Sequence, residues 1–270
     1  MKNIIAIASG KGGVGKSTVA TNLAVSLANY PLSGRSSPLK VGLIDVDFYG
    51  PSIPTLMGAA KGGDEIKVDA DKKFIPAFKY GVKYISIAFF LKNPDDPIIW
   101  RGPMFTKGIE QLFKDTSWGD LDICILDLPP GTGDAQISLS QMVQLTGAVL
   151  VTTPQEVALA DVRRAVNMFR RVNVPILGVV ENMAGFKQAD GSIVDIFGKG
   201  GGEELCKEYG LNLLSKIPLI QEIREGGDNG EPATLRANSE IASLYRDFAN
   251  NLAAEITKVS KTSEQLQIIN

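Results

Sequence analysis

The chain has 270 residues, of which 44% are hydrophobic and 21% charged, and its formal net charge is −2. These values are ordinary for a soluble globular protein and give no indication of a nucleic-acid or membrane-surface partner. Histidine is absent, which excludes histidine metal sites, Ser-His-Asp triads and histidine general bases. The two cysteines are far apart in sequence, so no disulfide framework is expected. No apolar run approaches the roughly 18 residues of a membrane helix, and we expect a cytoplasmic protein.

Short apolar runs rich in β-branched residues recur along the chain, as is typical of parallel strands buried between helix layers. They lie at residues 3–8, 40–44, 84–87, 121–126, 147–152, 175–180 and 213–217. Helical periodicity occurs at residues 16–29, 159–172 and 240–259, and surface loops are expected at 31–38 and 58–73. The alternation predicts an α/β fold: a doubly wound, mostly parallel sheet with helices on both faces. We expect one domain at 1–260 and a polar, frayed tail at 261–270.

The first predicted strand runs directly into a glycine-rich segment that opens a helix. This segment satisfies the pattern G-x-x-x-x-G-K-[ST] and consists of Gly10, Lys11, Gly12, Gly13, Val14, Gly15, Lys16, Ser17 and Thr18. Glycines allow successive backbone N–H groups to face a phosphate, and the helix N-terminus adds its positive dipole end. Lys16 is expected to neutralise the β- and γ-phosphates, and Ser17 to coordinate Mg²⁺. The alternative, a glycine turn that binds nothing, is disfavoured by this strand–loop–helix context.

Carboxylates follow two further predicted strands, at the sheet edge where ligands bind in open α/β folds. Asp45 and Asp47 come after the strand at 40–44 and are costly to bury unless used or paired. Asp127 ends the strand at 121–126 in a Walker B pattern, which is expected to hold a Mg²⁺-bound water. Gly131 is expected to offer its backbone N–H to the γ-phosphate, so that residues 129–134 respond when that phosphate is lost. A loop-capping role for Asp45 and Asp47 stays open.

Asn182 follows the predicted strand at 175–180 and is the candidate contact for the base, because an amide both donates and accepts toward a purine. The sequence continues Met-Ala-Gly and so lacks the Asn-Lys-x-Asp pattern of guanine-specific sites, which favours ATP over GTP. A turn-capping role for Asn182 is the alternative. Cys124 and Cys206 are both expected to be packing residues, the first inside a strand and the second in a short helical segment.

The string Lys-Gly-Gly-Val-Gly-Lys-Ser at residues 11–17 resembles the deviant Walker A signature of the MinD/ParA-like branch of P-loop ATPases. In that family the extra lysine reaches the partner's nucleotide across a dimer interface, which implies a catalytic role in trans for Lys11. The resemblance also implies that Asp47 orients the attacking water and that Asp45 lies near Mg²⁺. The candidate catalytic residues are therefore Lys11, Lys16 and Asp47, and the candidate metal ligands are Ser17, Asp45 and Asp127.

Further segments resemble the Mrp/NBP35 family, whose members are called iron–sulfur cluster carriers. They are residues 47–54, 100–104, 127–136, 151–157, 179–183 and 196–202. The resemblance implies an ATPase homodimer with ATP and Mg²⁺ as cofactors. It also implies assembly or carriage of a four-iron cluster and delivery to apoproteins, with assembly proteins as further partners. Neither nucleic acid nor membrane is expected as a partner.

One feature departs from this family, which places a Cys-x-x-Cys pair just after the Glu-Asn-Met segment. Here residues 186–191 read Phe-Lys-Gln-Ala-Asp-Gly. Because thiolates are the usual cluster ligands, we expect the isolated chain to bind no stable four-iron cluster, or only a labile one with ligands from a partner.

Two other functions are alternatives to this interpretation. A MinD/ParA-like positioning or partitioning ATPase needs a basic terminal helix or basic surface, whereas residues 240–259 carry mixed charge. A small-molecule kinase would have a plain phosphate loop, without Lys11, and an arginine-rich lid. The sequence therefore favours an ATPase of iron–sulfur cluster assembly or transfer.

Overall fold

The structure is a computed structural model, and it describes residues 1–59, 67–90, 102–188 and 190–269. A nine-stranded sheet forms its centre. The strands are β1 (Asn3–Ala8), β2 (Val41–Asp45), β3 (Ala77–Lys79), β4 (Val82–Ser86), β5 (Ile123–Asp127), β6 (Gly147–Thr152), β7 (Ile176–Lys187), β8 (Ile193–Val194) and β9 (Leu213–Leu219). The helices are α1 (Lys16–Asn29), α2 (Ile53–Leu56), α3 (Gly102–Lys114), α4 (Asp134–Met142), α5 (Glu156–Arg171), α6 (Gly201–Tyr209), α7 (Gln221–Asn229) and α8 (Glu240–Ile269).

Strand β1 lies in the middle of the sheet, between β5 and β6. The strand order is β3-β4-β2-β5-β1-β6-β7-β8, and β9 pairs with β7 outside this path. Pairing is parallel except at β3–β4 and β7–β8. In register, Asp127 on β5 stands opposite both Ile7 on β1 and Asp45 on β2. The parallel arrangement therefore brings the carboxyl ends of β1, β2 and β5 together at one edge.

Two apolar layers cover the two faces of the sheet. One layer packs α1 and α8 on the sheet through residues such as Leu23 and Phe248. The other packs α3 to α6 through residues such as Leu112 and Phe169. Burial on both faces explains why strands β2, β5 and β6 are apolar almost throughout. The predicted doubly wound, mostly parallel sheet with helices on both faces is thereby confirmed.

Several elements differ from the sequence prediction. Strand β7 continues to Lys187 and turns back as β8, whereas the pattern predicted a strand ending at residue 180. Helices α3 and α4 were not predicted. Helix α8 continues through Ile269, so residues 261–269 of the segment predicted as a frayed tail are helical, in keeping with their Lys, Glu, Gln and Leu content. The division into a domain at 1–260 and a tail at 261–270 stays a prediction.

The predicted loop at 31–38 contains neither helix nor strand. Residues 60–66 of the predicted loop at 58–73 lie outside the described residues, as do residues 100 and 101 of the Trp-Arg-Gly-Pro-Met motif and residue 189.

Candidate nucleotide site

The glycine-rich loop connects the end of β1 to the start of α1. Gly13 and Gly15 have φ values of 85° and 81°, in the left-handed region that favours glycine. Gly15 is the N-cap of α1, which begins at Lys16. The first N–H groups of this helix therefore point toward the loop, where they are available to an anion.

Gly10 fits the loop against α5. A Cβ atom at this position would collide with the backbone of Asp161 and Val162. By contrast, a Cβ atom at Gly12 would meet no heavy atom within 4 Å among the described residues. Gly10 is therefore required by the close approach of a neighbouring helix, a reason that its sequence motif does not reveal.

Lys16 is the centre of a buried ion-pair cluster. Its Nζ lies 2.7 Å from Asp127 Oδ1 and 3.4 Å from Asp47 Oδ2, and it also contacts Ser17 Oγ at 3.3 Å. Burial by itself would lower the pKa of Lys16, but the attraction of Asp127 and Asp47 outweighs it, so the net pKa is raised. Lys16 thus remains charged at the position where phosphates are expected.

Asp45 is fully buried at the end of β2, and both of its carboxylate oxygens have partners. Oδ1 accepts from the Asp47 N–H at 3.1 Å. Oδ2 accepts from the Ile53 N–H at 3.2 Å and from the Ser86 hydroxyl at 2.9 Å. Burial, with repulsion from Asp127, raises the pKa of Asp45. Asp45 therefore positions the loop after β2. Because both of its oxygens already have partners in the chain, it fits a position near a metal rather than direct coordination.

Asp127 and Ser17 are better placed for direct metal binding. Asp127 is fully buried, and its Oδ2 has no hydrogen-bond partner among the described residues. Burial raises its pKa, against the opposing effect of Lys16. In the described ranges, no group of three or more His, Cys, Asp or Glu side chains could hold a metal alone. A hydroxyl and a carboxylate nevertheless fit Mg²⁺, which prefers oxygen ligands and usually completes its shell with waters and phosphate oxygens.

Asp47 is nearly buried and closes the loop that follows it. Its Oδ1 accepts from the N–H groups of Tyr49 and Gly50 at 3.2 and 3.3 Å. Its Oδ2 is the oxygen that pairs with Lys16.

Gly131 does not present a free donor in this structure. Its N–H donates to the Ser9 carbonyl at 3.0 Å, and its φ of 95° is favourable only for glycine. Contact with a γ-phosphate would require this bond to break. The structure therefore shows the segment after Asp127 attached to the phosphate loop.

Asn182 contacts the phosphate loop. Its Nδ2 donates to the Val14 carbonyl at 2.8 Å, and a Cβ at Gly15 would collide with this same nitrogen. Here the amide donor is used on loop backbone, so the predicted contact with a base stays a prediction. In the sheet Asn182 stands opposite Ile217.

A cavity of about 770 Å³ begins just beyond this pair, at Pro218. It lies between the end of β7, the end of β9, α7 and the start of α8. Its apolar lining includes Phe186, Pro218, Leu219, Ile220, Leu235 and Ile241. Charged residues line it too, among them Lys187, Glu222 and Arg236.

Lys11 lies at the edge of the site and is partly exposed. Its carbonyl accepts from the Ser9 hydroxyl at 2.8 Å, which fixes the backbone. No ion pair involves its ammonium group within the part of the chain that the structure describes. Lys11 is therefore not assembled with Lys16, Asp47 and Asp127 in a single chain.

Glu181, the neighbour of Asn182, makes a buried contact that sequence reasoning missed. It is buried in the middle of β7, and its Oε2 accepts from the Gly202 N–H at 2.5 Å, at the start of α6. A Cβ at Gly202 would lie 2.9 Å from the same oxygen. A glutamate next to Asn182, followed by a run of glycines at 200–202, was the available signal.

Cys124 and Cys206 are both free and buried, as predicted. Burial raises the pKa of Cys124 to about 12 and that of Cys206 to about 11. Cys124 lies within β5 and Cys206 within α6. Protonated, buried thiols on separate elements do not form a cluster site in one chain.

A phosphate loop opening a helix beside a Walker B aspartate, on a mostly parallel sheet, defines a P-loop NTPase. The sequence matches the family of NUBPL iron-transfer P-loop NTPases (ParA group) over residues 1–253. The chain belongs to this family. No helix among the described residues is long and apolar enough to cross a membrane.

Relatives named as iron–sulfur cluster carrier or transfer proteins are similar to this chain over almost its whole length. It is 52% identical over 255 residues to an iron–sulfur cluster carrier protein of Aquifex aeolicus, covering 94% of this chain and 68% of the relative. It is 47% identical over 272 residues to the iron–sulfur cluster transfer protein NUBPL of Dictyostelium discoideum, covering 100% and 78%. These relatives support the Mrp/NBP35 resemblance.

Solved structures show the same fold. A nucleotide-binding protein of Archaeoglobus fulgidus, solved with ADP, has a TM-score of 0.74 at 35% identity, covering 90% of this chain and 91% of that one. The septum site-determining protein MinD of Pyrococcus horikoshii, solved with Mg-ADP, has a TM-score of 0.67 at 23% identity, covering 92% and 95%. The MinD likeness establishes the fold alone.

Proposed function

We propose that this chain binds ATP with Mg²⁺, hydrolyses it, and assists the assembly of iron–sulfur clusters or their transfer to apoproteins. The observation that carries the nucleotide chemistry is the convergence of Lys16, Asp47 and Asp127 beside a complete phosphate loop. The family match and the names of its relatives support the role in iron–sulfur chemistry. The buried, free cysteines support the reducing cytoplasm as its compartment.

Lys16 exchanges one set of anions for another when nucleotide binds. Its ammonium group pairs with Asp127 and Asp47 here, and turns to the β- and γ-phosphates when they bind. Its buried charge is balanced by anions in both positions. Asp127 and Ser17 would hold Mg²⁺, which would supply neutralisation of the phosphate oxygens. Asp47 Oδ2 orients a water toward the γ-phosphate.

The base is proposed to lie between Asn182 and the cavity that begins at Pro218. Asn182 already contacts the phosphate loop, and its strand partner Ile217 precedes the cavity. Apolar walls suit a purine ring, and the charged rim suits its polar edge and the ribose. Without the guanine-specific pattern, the preferred nucleotide is ATP.

A homodimer is proposed to complete the site. Lys11 is partly exposed in the loop. Exposed apolar side chains occur on segments that follow or extend β2, β6 and β7, namely Tyr49, Val157, Ile193, Val194 and Ile196. Val157 lies on α5 one turn before Asp161, whose backbone contacts Gly10. Exposed apolar groups next to a functional site are typical of an interaction surface. A second copy facing this edge would bring its Lys11 to the nucleotide.

Any iron–sulfur cluster handled by this protein is proposed to take thiolates from a partner or from small thiols. The segment where the family places its cysteine pair is here the β7–β8 hairpin, with Phe186 and Lys187 in β7. Neither of the two buried cysteines lies in that segment.

Phosphate release under multiple turnover tests the hydrolysis. Lys16→Ala is expected to abolish nucleotide binding, because it removes the charge that holds the phosphates. Asp47→Ala is expected to bind ATP but to turn over at least about 10²-fold more slowly, since only the positioning of water is lost. Asp71→Asn, at an exposed turn, serves as the control with wild-type behaviour. Wild-type turnover by Asp47→Ala would remove Asp47 from this role.

A further inference from the structure

The segment between Asp127 and α4 is held by hydrogen bonds from Gly131 and Gln136. Pro129 and Pro130 have no backbone N–H, so they cannot fasten the segment through donors of their own. One attachment is the Gly131 N–H on the Ser9 carbonyl, at 3.0 Å. This attachment must break if Gly131 is to contact a γ-phosphate.

Gln136 provides a second attachment. It is 1% exposed, on the first turn of α4, and its Nε2 donates to the Pro129 carbonyl at 2.5 Å. Its own N–H donates to the Gly133 carbonyl at 3.1 Å. The side chain thus connects the fixed helix to the residue two places after Asp127.

The orientation of the Gln136 amide follows from its neighbours. Its Oε1 is buried without a hydrogen-bond partner in the described part of the chain. A flipped amide would set this oxygen against the Pro129 carbonyl, where two acceptors would repel each other. An unpartnered buried acceptor is costly, and it is tolerated here so that the nitrogen can hold Pro129.

We propose that Gln136 is a positioning residue for the phosphate-responsive segment. It keeps Pro129 in place while Gly131 moves from Ser9 to the γ-phosphate, whereas the backbone of Asp127 and Leu128 is held separately by the sheet. Without Gln136, residues 129–133 would shift together and the Gly131 N–H would no longer meet the γ-phosphate in one position. This role rests on the proposed function, because Gln136 matters only if the protein distinguishes ATP, which has a γ-phosphate, from ADP, which has none.

The test compares affinity for ADP with affinity for a non-hydrolysable ATP analogue, both with Mg²⁺. Gln136→Met keeps the length and tolerates burial but has no N–H donor, and Gln136→Glu replaces the donor with an acceptor. Both are expected to weaken analogue affinity by about tenfold, as for loss of one buried hydrogen bond, while ADP affinity stays unchanged. Gln144→Glu makes the same charge change at an exposed position after α4 and is expected to behave as wild type.

A dependence on pH supplies the second readout. In Gln136→Glu, lowering the pH protonates the new carboxyl group and restores a donor, so its analogue affinity should recover relative to wild type at the same pH. Equal loss of ADP and analogue affinity would show a merely structural role, and unchanged affinities in both variants would also overturn the proposal. Because the readout is binding, absence of ATP hydrolysis by the wild-type protein would contradict the proposed function without deciding the role of Gln136.

Discussion

Lys16 shows how a single residue depends on its ion-pair partners at this site. A buried ammonium costs several kcal/mol unless it is compensated, and here Asp127 and Asp47 compensate it. The same cost applies to the carboxylates, because Asp127 is fully buried. Each charge therefore depends on the other, and removal of Lys16 leaves Asp127 without its counter-ion.

The two cysteines are expected to be unreactive in the folded protein. At pH 8 a water-soluble thiol reagent should label neither Cys124 nor Cys206 rapidly, because both are buried and burial raises the pKa of each thiol. Unfolding in urea should make both react at once. The pKa of Cys124 is about 12 in the folded protein, above its ordinary value of 9.0. The stability that depends on this thiol staying protonated is therefore full below pH 9.0 and is lost as the pH rises through 12.

Anaerobic reconstitution with iron and sulfide extends this expectation to cluster binding. The isolated protein should retain less than one stable four-iron cluster per dimer, since such a cluster needs about four accessible thiolates. A stoichiometric, oxygen-sensitive cluster that disappears in the Cys124→Ser, Cys206→Ser double variant would show that the buried cysteines are ligands after all.

Among the elements, the contact between the phosphate loop and α5 predicts how a substitution at Gly10 changes stability. Gly10→Ala would force a methyl group into the backbone of Asp161, so we expect a loss of about 1–3 kcal/mol in the free energy of unfolding. Urea denaturation measures this difference. Gly12→Ala is the matched control for stability, because its added methyl group meets open space and should change the free energy by less than about 0.5 kcal/mol. Equal midpoints for the two variants would mean that α5 does not hold the loop.

The elements that the sequence predicted best are those with an uninterrupted apolar pattern. Strand β1 and helix α1 have the predicted bounds, because both combine local signals with burial. The β7–β8 hairpin was missed because Glu181 and Asn182 interrupt the apolar run, although both are buried by tertiary contacts. Such contacts have no periodic signature in one sequence.

The same distinction applies to the candidate site. Motifs predicted the presence of Lys16, Asp47 and Asp127, and the structure places the three together. The sequence did not reveal that Lys16 pairs with Asp127, that Gly131 donates to Ser9, or that Asn182 donates to Val14. These partners lie far apart along the chain, and only the fold brings them together.

For the whole molecule, the proposed role of Lys11 in a dimer predicts that nucleotide binding and association are linked. Lys11→Ala should leave the affinity of the monomer for ATP unchanged but weaken an ATP-dependent dimer and slow hydrolysis, because the partner's charge is lost. Size-exclusion chromatography with light scattering, with a non-hydrolysable analogue, measures the dimer. Lys2→Ala changes an exposed lysine near the opposite ends of the strands and serves as the control. A wild-type protein that stays monomeric with the analogue would leave Lys11 without this role.

If the nucleotide site serves iron–sulfur cluster transfer, as proposed, this protein should activate an apoprotein in an ATP-dependent way. An apoprotein whose activity requires a four-iron cluster is incubated anaerobically with iron, sulfide, a small thiol and this protein, with or without Mg-ATP, and its recovery of activity is followed. We expect the wild-type protein with Mg-ATP to accelerate recovery, and Lys16→Ala to give no acceleration. Equal recovery with wild type, with Lys16→Ala and without any added protein would contradict the account.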